Sequence, residues 1–566
     1  VCASLISRAS AATWAADRAS NHPDRVQLDV LPAETADEAL QLARSSGRQI
    51  VVIDCPSRAT AATAHIAAAA DFVVLPLVPG VKDAALTAQK LTSATGGTAK
   101  DRARIERDFL RKRAYVIVAK HVPIKQAEYL RSLDLAGVHF ARTATRSYPQ
   151  GKVAGQVLGL TDLDSGVGIG EGLEKSKDDV LAGKDGKRVE IRDPRRGETV
   201  RISEARDSVP GSEVELTINA KIQSKFETIL AESRRTYKAK RALGVIMDPN
   251  TGAILAMTSV PRLDPNNRAT LDPATTQNRS ITDPYEPGSV FKPFIVAGAL
   301  EEGVVTPTTR FNLPPEETFA KDTPDEFTIH EAHREEWKTL DTSGIVQESS
   351  NIGVLRVAYR LGKTGQLRPW LVKFGFGQKT QVDLAVENSG NLPPRTAWNL
   401  GTLKNIPLGQ GMTATQIQQV RAYAAIANGG FLVQPHVVSR VGGHSVAPTT
   451  RERILSPETS LDLTKMLETV IEGSNGTAVE AKLEGYKVAG KTGTAQVVDP
   501  KTQKYIDRYR SSFIGYVPSR NPRLLIAVML DDPDPVGPHT GGEVAAPAFE
   551  KIADYALSAL SIPPSG

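Results

Sequence analysis

Two apolar strand pairs stand far apart in this chain, and they constrain its fold more than any other feature. Residues 242–248 and 253–258 are joined by Pro249-Asn250-Thr251-Gly252, a hairpin signal. Residues 512–517 and 523–530 form a second pair across Asn521-Pro522. The stretch between the pairs is largely helical in pattern, with helices expected over 292–302 and 414–428. Strand pairs at both ends of a helical middle predict an antiparallel sheet packed by helices, an α+β domain from about 221 to 566.

The chain of 566 residues is long enough for two to four domains, and upstream of the α+β domain the pattern changes twice. Residues 1–92 are Ala-rich and read as an α/β fragment. Strands are expected at 49–53, running into Asp54-Cys55-Pro56, and at 72–77; helical stretches between them predict parallel βαβ structure. Residues 93–113 read as a connector running into a helix. From about 114 to 220, short strands punctuated by Gly and Pro suggest an elongated, non-catalytic module. The expected division is therefore 1–92, 93–220 and 221–566.

Composition excludes little but helps in places. A net charge of +5 without a basic run gives no case for nucleic acid as a partner. Cys2 and Cys55 both precede the connector, and the cysteine-free remainder suits an oxidising compartment, although plain scarcity of cysteine explains it equally well. No run approaches the roughly 18 apolar residues of a membrane span. The best candidate, 72–81, is broken by Pro76 and Pro79, and the first ten residues lack the basic region and apolar core of a signal peptide.

Three short polar motifs follow one another in the α+β domain. Pro287-Gly288-Ser289-Val290-Phe291-Lys292 opens a helix, so Ser289 and Lys292, three apart, share a face. A serine hydroxyl is a poor nucleophile until a base takes its proton. Lys292 can be that base if burial and a second cation lower its pKa. Ser349-Ser350-Asn351 and Lys491-Thr492-Gly493-Thr494 follow in that order. Together they reproduce the Ser-x-x-Lys, Ser-x-Asn, Lys-Thr-Gly triplet of penicillin-binding proteins and serine β-lactamases. In that scheme the catalytic set is Ser289, Lys292, Ser349, Asn351 and Lys491, and the substrate-binding set is Thr492, Gly493 and Thr494. Ser349 relays protons between Lys292 and the leaving amine, Asn351 holds the substrate peptide, and Lys491 supplies a second positive charge. Thr492 and Thr494 offer hydroxyls to a carboxylate, and Gly493 leaves room for an acyl chain along the strand edge. The backbone N–H groups of Ser289 and Thr494 form the oxyanion hole.

From about Tyr115 onward the chain resembles class B penicillin-binding proteins, monofunctional D,D-transpeptidases. The likeness extends beyond the catalytic motifs. Arg146-Ser147-Tyr148-Pro149-Gln150-Gly151 resembles the family's Arg-x-Tyr-Pro-x-Gly element. Gly172-Leu173-Glu174 with Asp178, Leu181, Gly183 and Gly186 resembles the Gly-x-Glu element of its pedestal module. Phe374-Gly375-Phe376-Gly377, Gly409-Gln410-Gly411 and 427–430 are similar to transpeptidase-domain segments, while 285–294 and 541–549 look closest to the septal, cell-division branch. The resemblance implies a stem peptide ending in D-Ala-D-Ala as substrate. It implies attack by Ser289 on the penultimate carbonyl, resolution by the amine of a neighbouring stem, and acylation by β-lactams. It also implies no metal or other cofactor, a place at the outer face of the cytoplasmic membrane, and a membrane glycan polymerase and divisome proteins as partners.

Other patterns compete. Gly485 to Thr492 satisfies Gly-x4-Gly-Lys-Thr, but a phosphate loop should open a helix, and Gly493 to Val498 reads as a strand. His330 and His333 lack a zinc pattern and read as surface residues. The family's N-terminal membrane helix and its Arg-Gly-x-x-x-Asp-Arg-x-Gly element are not found. Instead 10–18, 49–56 and 70–82 resemble a ParA-type partitioning ATPase, with Asp54 at its Walker B-like position and no phosphate loop. This points to a fusion or rearrangement in place of the anchor, or to an accessory domain. Two alternative functions remain: a β-lactamase or penicillin sensor, for which no deacylating base is found, and a cytoplasmic nucleotide-binding protein.

Overall fold

The computed structural model of the chain describes residues 146–162, 166–184, 186–192 and 199–564, apart from 320, 322–325, 332–335, 447–450, 500 and 503. N-terminal to these it describes residues 2–4, 30–32, 52–54, 87–93, 97–110, 118–119, 122 and 124–133. Two compact units result: 1–145 with 184–210, and 146–183 with 211–566.

In the first unit, Cys2–Ser4 is the centre of a parallel three-stranded sheet, between Val30–Pro32 and Val52–Asp54. The end of the strand expected at 49–53 falls in Val52–Asp54, residues 49–51 lying outside the described residues, and its parallel pairing agrees with the βαβ reading. The strand expected at 72–77 lies outside the described residues. The connector does run into a helix, Ala99–Leu110. The antiparallel pair Lys187–Arg192 and Thr199–Arg206 completes this unit.

The second unit is built on a five-stranded antiparallel sheet. Its strands are β1 (Arg241–Met247), β2 (Ile254–Val260), β3 (Ala489–Val498), β4 (Tyr505–Val517) and β5 (Leu524–Asp531), in the order β2-β1-β5-β4-β3. The two expected strand pairs are β1–β2 and β4–β5, and they join directly, with Leu525 opposite Met247 and Asp531 opposite Arg241. Asp531 ties three strands together at that end, forming an ion pair with Arg241 Nε at 3.1 Å and accepting from Arg510 Nε at 3.2 Å. Every residue of β5 is buried, and so are all of β1 after Arg241, which requires cover on both faces.

That cover is helical. On one face lie α1 (Ala220–Thr236) and α6 (Ala546–Ala559). Asn219 caps α1 by accepting from Lys221 N and Ile222 N, and Ile222, Phe226, Ile229 and Leu230 recur at helical spacing on its buried side. On the other face lie α4 (Gln416–Ala427) and α5 (Pro457–Glu472). Between them and the rest of the helical layer runs α2 (Lys292–Glu301), buried from Lys292 to Ala299. A helix apolar on all sides belongs in an interior, and this one carries the first motif. The helix α3 (Asn351–Lys363) packs against it.

Segments expected in the elongated module also meet this unit's sheet. Arg146 Nε and Glu174 Oε1 are 2.7 Å apart, which joins the Arg-x-Tyr-Pro-x-Gly and Gly-x-Glu elements. Gln156 Nε2 donates to Ser259 O and Pro261 O at the end of β2. Among the described residues no helix is long and apolar enough to cross a membrane.

Candidate active site

Ser289 sits in a 3-10 turn, Gly288–Phe291, that leads into α2. In such a turn residues three apart eclipse, so Ser289 and Lys292 stack on one side, as their spacing predicts. Pro293 follows at the start of α2, where a missing N–H costs nothing. The turn is held from behind. Gly288 N donates to Gly409 O at 3.0 Å, and a Cβ on Gly409 would lie 2.2 Å from Gly288 O. Gly409 also has φ of +76°, so it is required twice over. Tyr423 OH donates to Val290 O at 2.7 Å. Phe291, Phe294, Phe374, Phe376 and Tyr423 form a contiguous aromatic cluster with centroids 4.8–5.5 Å apart. The nucleophile's backbone is thereby fixed by packing. Ser289 Oγ has no hydrogen-bond partner among the described residues.

The second motif meets Lys292 directly. Lys292 Nζ lies 2.5 Å from Ser349 O, 2.7 Å from Asn351 Oδ1 and 3.3 Å from Ser349 Oγ. Ser349 has φ of +58°, uncommon for a non-glycine residue, and this turn aims its carbonyl at the amine. Asn351 was expected to hold substrate. Here its Oδ1 accepts from Lys292 and its Nδ2 donates to His330 O at 3.0 Å, so both ends of the amide are engaged within the protein. Ser350, between them, caps α3 by accepting from Gly353 N.

The third motif lies on β3, at the edge of the sheet, and packs against the nucleophile turn. A strand context for Lys491-Thr492 removes the phosphate-loop reading. Lys491 is fully buried, with Nζ 3.4 Å from both Thr492 O and Thr492 Oγ1. Thr492 Oγ1 is 2.8 Å from Thr477 Oγ1, and exposed Thr494 accepts from Gly541 N at 3.1 Å. Gly493 serves packing in this structure. A Cβ there would meet Ser512 Oγ at 2.6 Å, Val290 Cγ1 at 3.0 Å and Pro287 O at 3.2 Å, so glycine lets the edge strand close on the Ser289 turn.

The charges at this junction are unusual. Burial pushes Lys292 down to about 7, with Glu331 opposing the shift. Burial also holds Lys491 well below the ordinary lysine range, and repulsion from Lys292 adds to it. A neutral amine has two N–H groups and a lone pair. At Lys292 two of its neighbours, Ser349 O and Asn351 Oδ1, can only accept, which leaves one position on nitrogen to take a hydroxyl proton.

Sequence reasoning missed several residues. Glu331 Oε1 accepts from Ser350 Oγ and Ile352 N, and its Oε2 accepts from Asn351 N. Thr477 and Tyr423 support the motifs as described above, as does Gly409, which the sequence singles out only by family likeness. Nothing in the spacing of Glu331 or Thr477 marks them, because each reaches the site from a separate loop. His330 is exposed, as expected, while His333 lies outside the described residues.

Residues 242–554, more than half of the chain, match the penicillin-binding protein transpeptidase domain. Residues 69–216 match the penicillin-binding protein dimerisation domain. The chain belongs to the class B penicillin-binding proteins. This penicillin-binding protein is 32% identical over 454 residues to the peptidoglycan D,D-transpeptidase FtsI of Escherichia coli, covering 80% of this chain and 74% of that one. It is 34% identical over 457 residues to stage V sporulation protein D of Bacillus subtilis, covering 78% and 68%. The crystal structure of penicillin-binding protein 3 from Mycobacterium tuberculosis, complexed with aztreonam, is similar with a TM-score of 0.66 at 32% identity, covering 74% of this chain and 91% of that one. This penicillin-binding protein is accordingly an enzyme of the serine-type D,D-transpeptidase class.

Proposed function

We propose that the chain cross-links peptidoglycan stem peptides ending in D-Ala-D-Ala through an acyl-enzyme on Ser289, and that β-lactams acylate the same oxygen. One observation carries the assignment: a fully buried Lys292, brought to about 7 by burial, adjoins the Ser289 turn with its fixed N–H acceptors supplied by Ser349 and Asn351. In the reaction, Lys292 takes the Ser289 proton as Oγ attacks the penultimate carbonyl. The first-turn N–H of Ser289 has no intrahelical acceptor and, with the N–H of Thr494, stabilises the oxyanion. Ser349 Oγ, 3.3 Å from Lys292 Nζ, returns the proton to the departing D-Ala amine. The same groups then run in reverse as the acceptor amine attacks. Thr492 and Thr494 bind the substrate carboxylate, whose negative charge draws a proton back onto buried Lys491.

The reading extends to place and partners. The substrate lies outside the cytoplasmic membrane, so the enzyme works at its outer face, in septal wall synthesis, beside a membrane glycan polymerase and division proteins. The likeness of 285–294 and 541–549 to the septal branch supports this. The three-part division at 92 and 220 belongs to the proposal too; it follows family resemblance, and residues 146–183 pack on the transpeptidase fold within it.

A β-lactamase needs a free carboxylate or other base to activate water. Both oxygens of Glu331, the acid beside the second motif, are engaged by donors of α3. The deciding experiment gives the protein a donor peptide ending in D-Ala-D-Ala with and without an acceptor amine. Transfer to the amine supports the assignment, and hydrolysis unaffected by the amine transfers it to a hydrolase.

A further inference from the structure

Glu331 follows directly after the strand Phe327–His330, which pairs with Glu316–Phe319 in a hairpin. The base of this hairpin is fastened to the site at several points. Glu331 N donates to Pro315 O at 2.9 Å, and His330 O accepts from Asn351 Nδ2. Farther along α3, Arg356 grips Glu317 with two bonds of 3.0 Å and Asn312 O with a third of 2.7 Å. The Glu331 carboxylate is thus delivered from outside the three motifs to the N-terminal end of α3, where Ser350 Oγ, Asn351 N and Ile352 N converge on it at 2.5, 2.9 and 3.2 Å. These donors belong to the same turn whose Ser349 O and Asn351 Oδ1 hold Lys292.

We infer that Glu331 is a positioning residue for the acylation reaction: it clamps the Ser349–Asn351 turn and sets the charge balance of Lys292 through its carboxylate. This rests on the reading of Ser289 as nucleophile and Lys292 as base. Among the described residues, the charged group that acts on Lys292 is Glu331 from the hairpin base, which favours the ammonium, while Lys292 in turn depresses Lys491 on β3. The two lysines titrate as a pair. Glu331 sets the pH at which that pair has a neutral base to offer. Removing its charge leaves burial unopposed, so the base becomes neutral at lower pH.

The test is the pH profile of Ser289 acylation by a fluorescent penicillin in the full chain, scaled to each variant's own alkaline plateau, with melting temperature measured alongside. Glu331→Gln is expected to move the acid-side midpoint to lower pH and to lower the plateau, by up to about 10²-fold, because the turn holding the base shifts. Glu331→Asp, with its charge withdrawn by one methylene, is expected to have a midpoint between those of parent and Gln variant. A loss of helix capping alone would lower the melting temperature and the plateau while leaving the midpoint in place. A parental midpoint in Glu331→Gln therefore overturns the inference, and Glu331→Asp decides in the same way if the Gln variant does not fold. Should the parent be labelled somewhere other than Ser289, the underlying assignment fails instead, and the two failures are distinguishable.

Discussion

Asn351 Oδ1 accepts a hydrogen bond of 2.7 Å from Lys292 Nζ, one of the contacts that join the first motif to the second. With Ser349 O it fixes the amine in the protein interior, where Lys292 is 1% exposed. A lysine held between obligate acceptors and stripped of solvent is both oriented and basic near neutrality.

Lys292→Ala should lower the acylation rate far more than it lowers the non-covalent affinity for a β-lactam. General-base assistance is worth about 10² to 10⁴-fold. Stopped-flow acylation at several β-lactam concentrations separates the two quantities. A variant that acylates within about two-fold of the parent would place the base elsewhere.

Acylation should rise with pH through an acid-side midpoint near 7. The sign follows from the role: the lysine works when neutral, and its folded-state pKa is depressed to about 7 by burial. A rate profile measured from pH 5 to 9 checks this, and a rate that falls over the same interval contradicts it.

Gly409→Ala should damage chemistry without touching any motif. Its Cβ would lie 2.2 Å from Gly288 O and must push the Ser289 turn or its own loop away. Displacements of about 1 Å can cost on the order of 10²-fold in rate. Acylation kinetics together with thermal denaturation would show both the slower rate and the lower melting temperature; parental values for both would mean that the loop yields freely.

The parts of this molecule that follow from local pattern were legible. The hairpin turn at Pro249 to Gly252, the pairs β1–β2 and β4–β5, and the helices bearing Lys292 and Gln416 all come from periodicity and turn chemistry that a linear reading captures. The motifs were legible as words, and their convergence followed from their order. What could not be read depends on separate segments meeting. The Asp531 link between Arg241 and Arg510 needs the two hairpins to join edge to edge, with β5 beside β1. The Glu331 clamp needs a hairpin base to fold back on α3. Gly493 was legible as a small residue at a strand edge, whereas the approach of Val290 and Ser512 to the place a Cβ would take comes from segments far apart in the chain. Burial also reverses a simple reading of Lys491: on paper it is a cation, whereas in a dry site beside Lys292 it is driven toward the neutral amine.

The central claim is that Ser289 forms the covalent bond, and peptide mass mapping of the penicillin-treated full chain tests it most directly. The account predicts one penicillin mass added to the peptide that contains Ser289, persisting for many minutes, and no adduct in Ser289→Ala. An adduct on another residue, undiminished labelling of Ser289→Ala, or release of hydrolysed penicillin within seconds would contradict it.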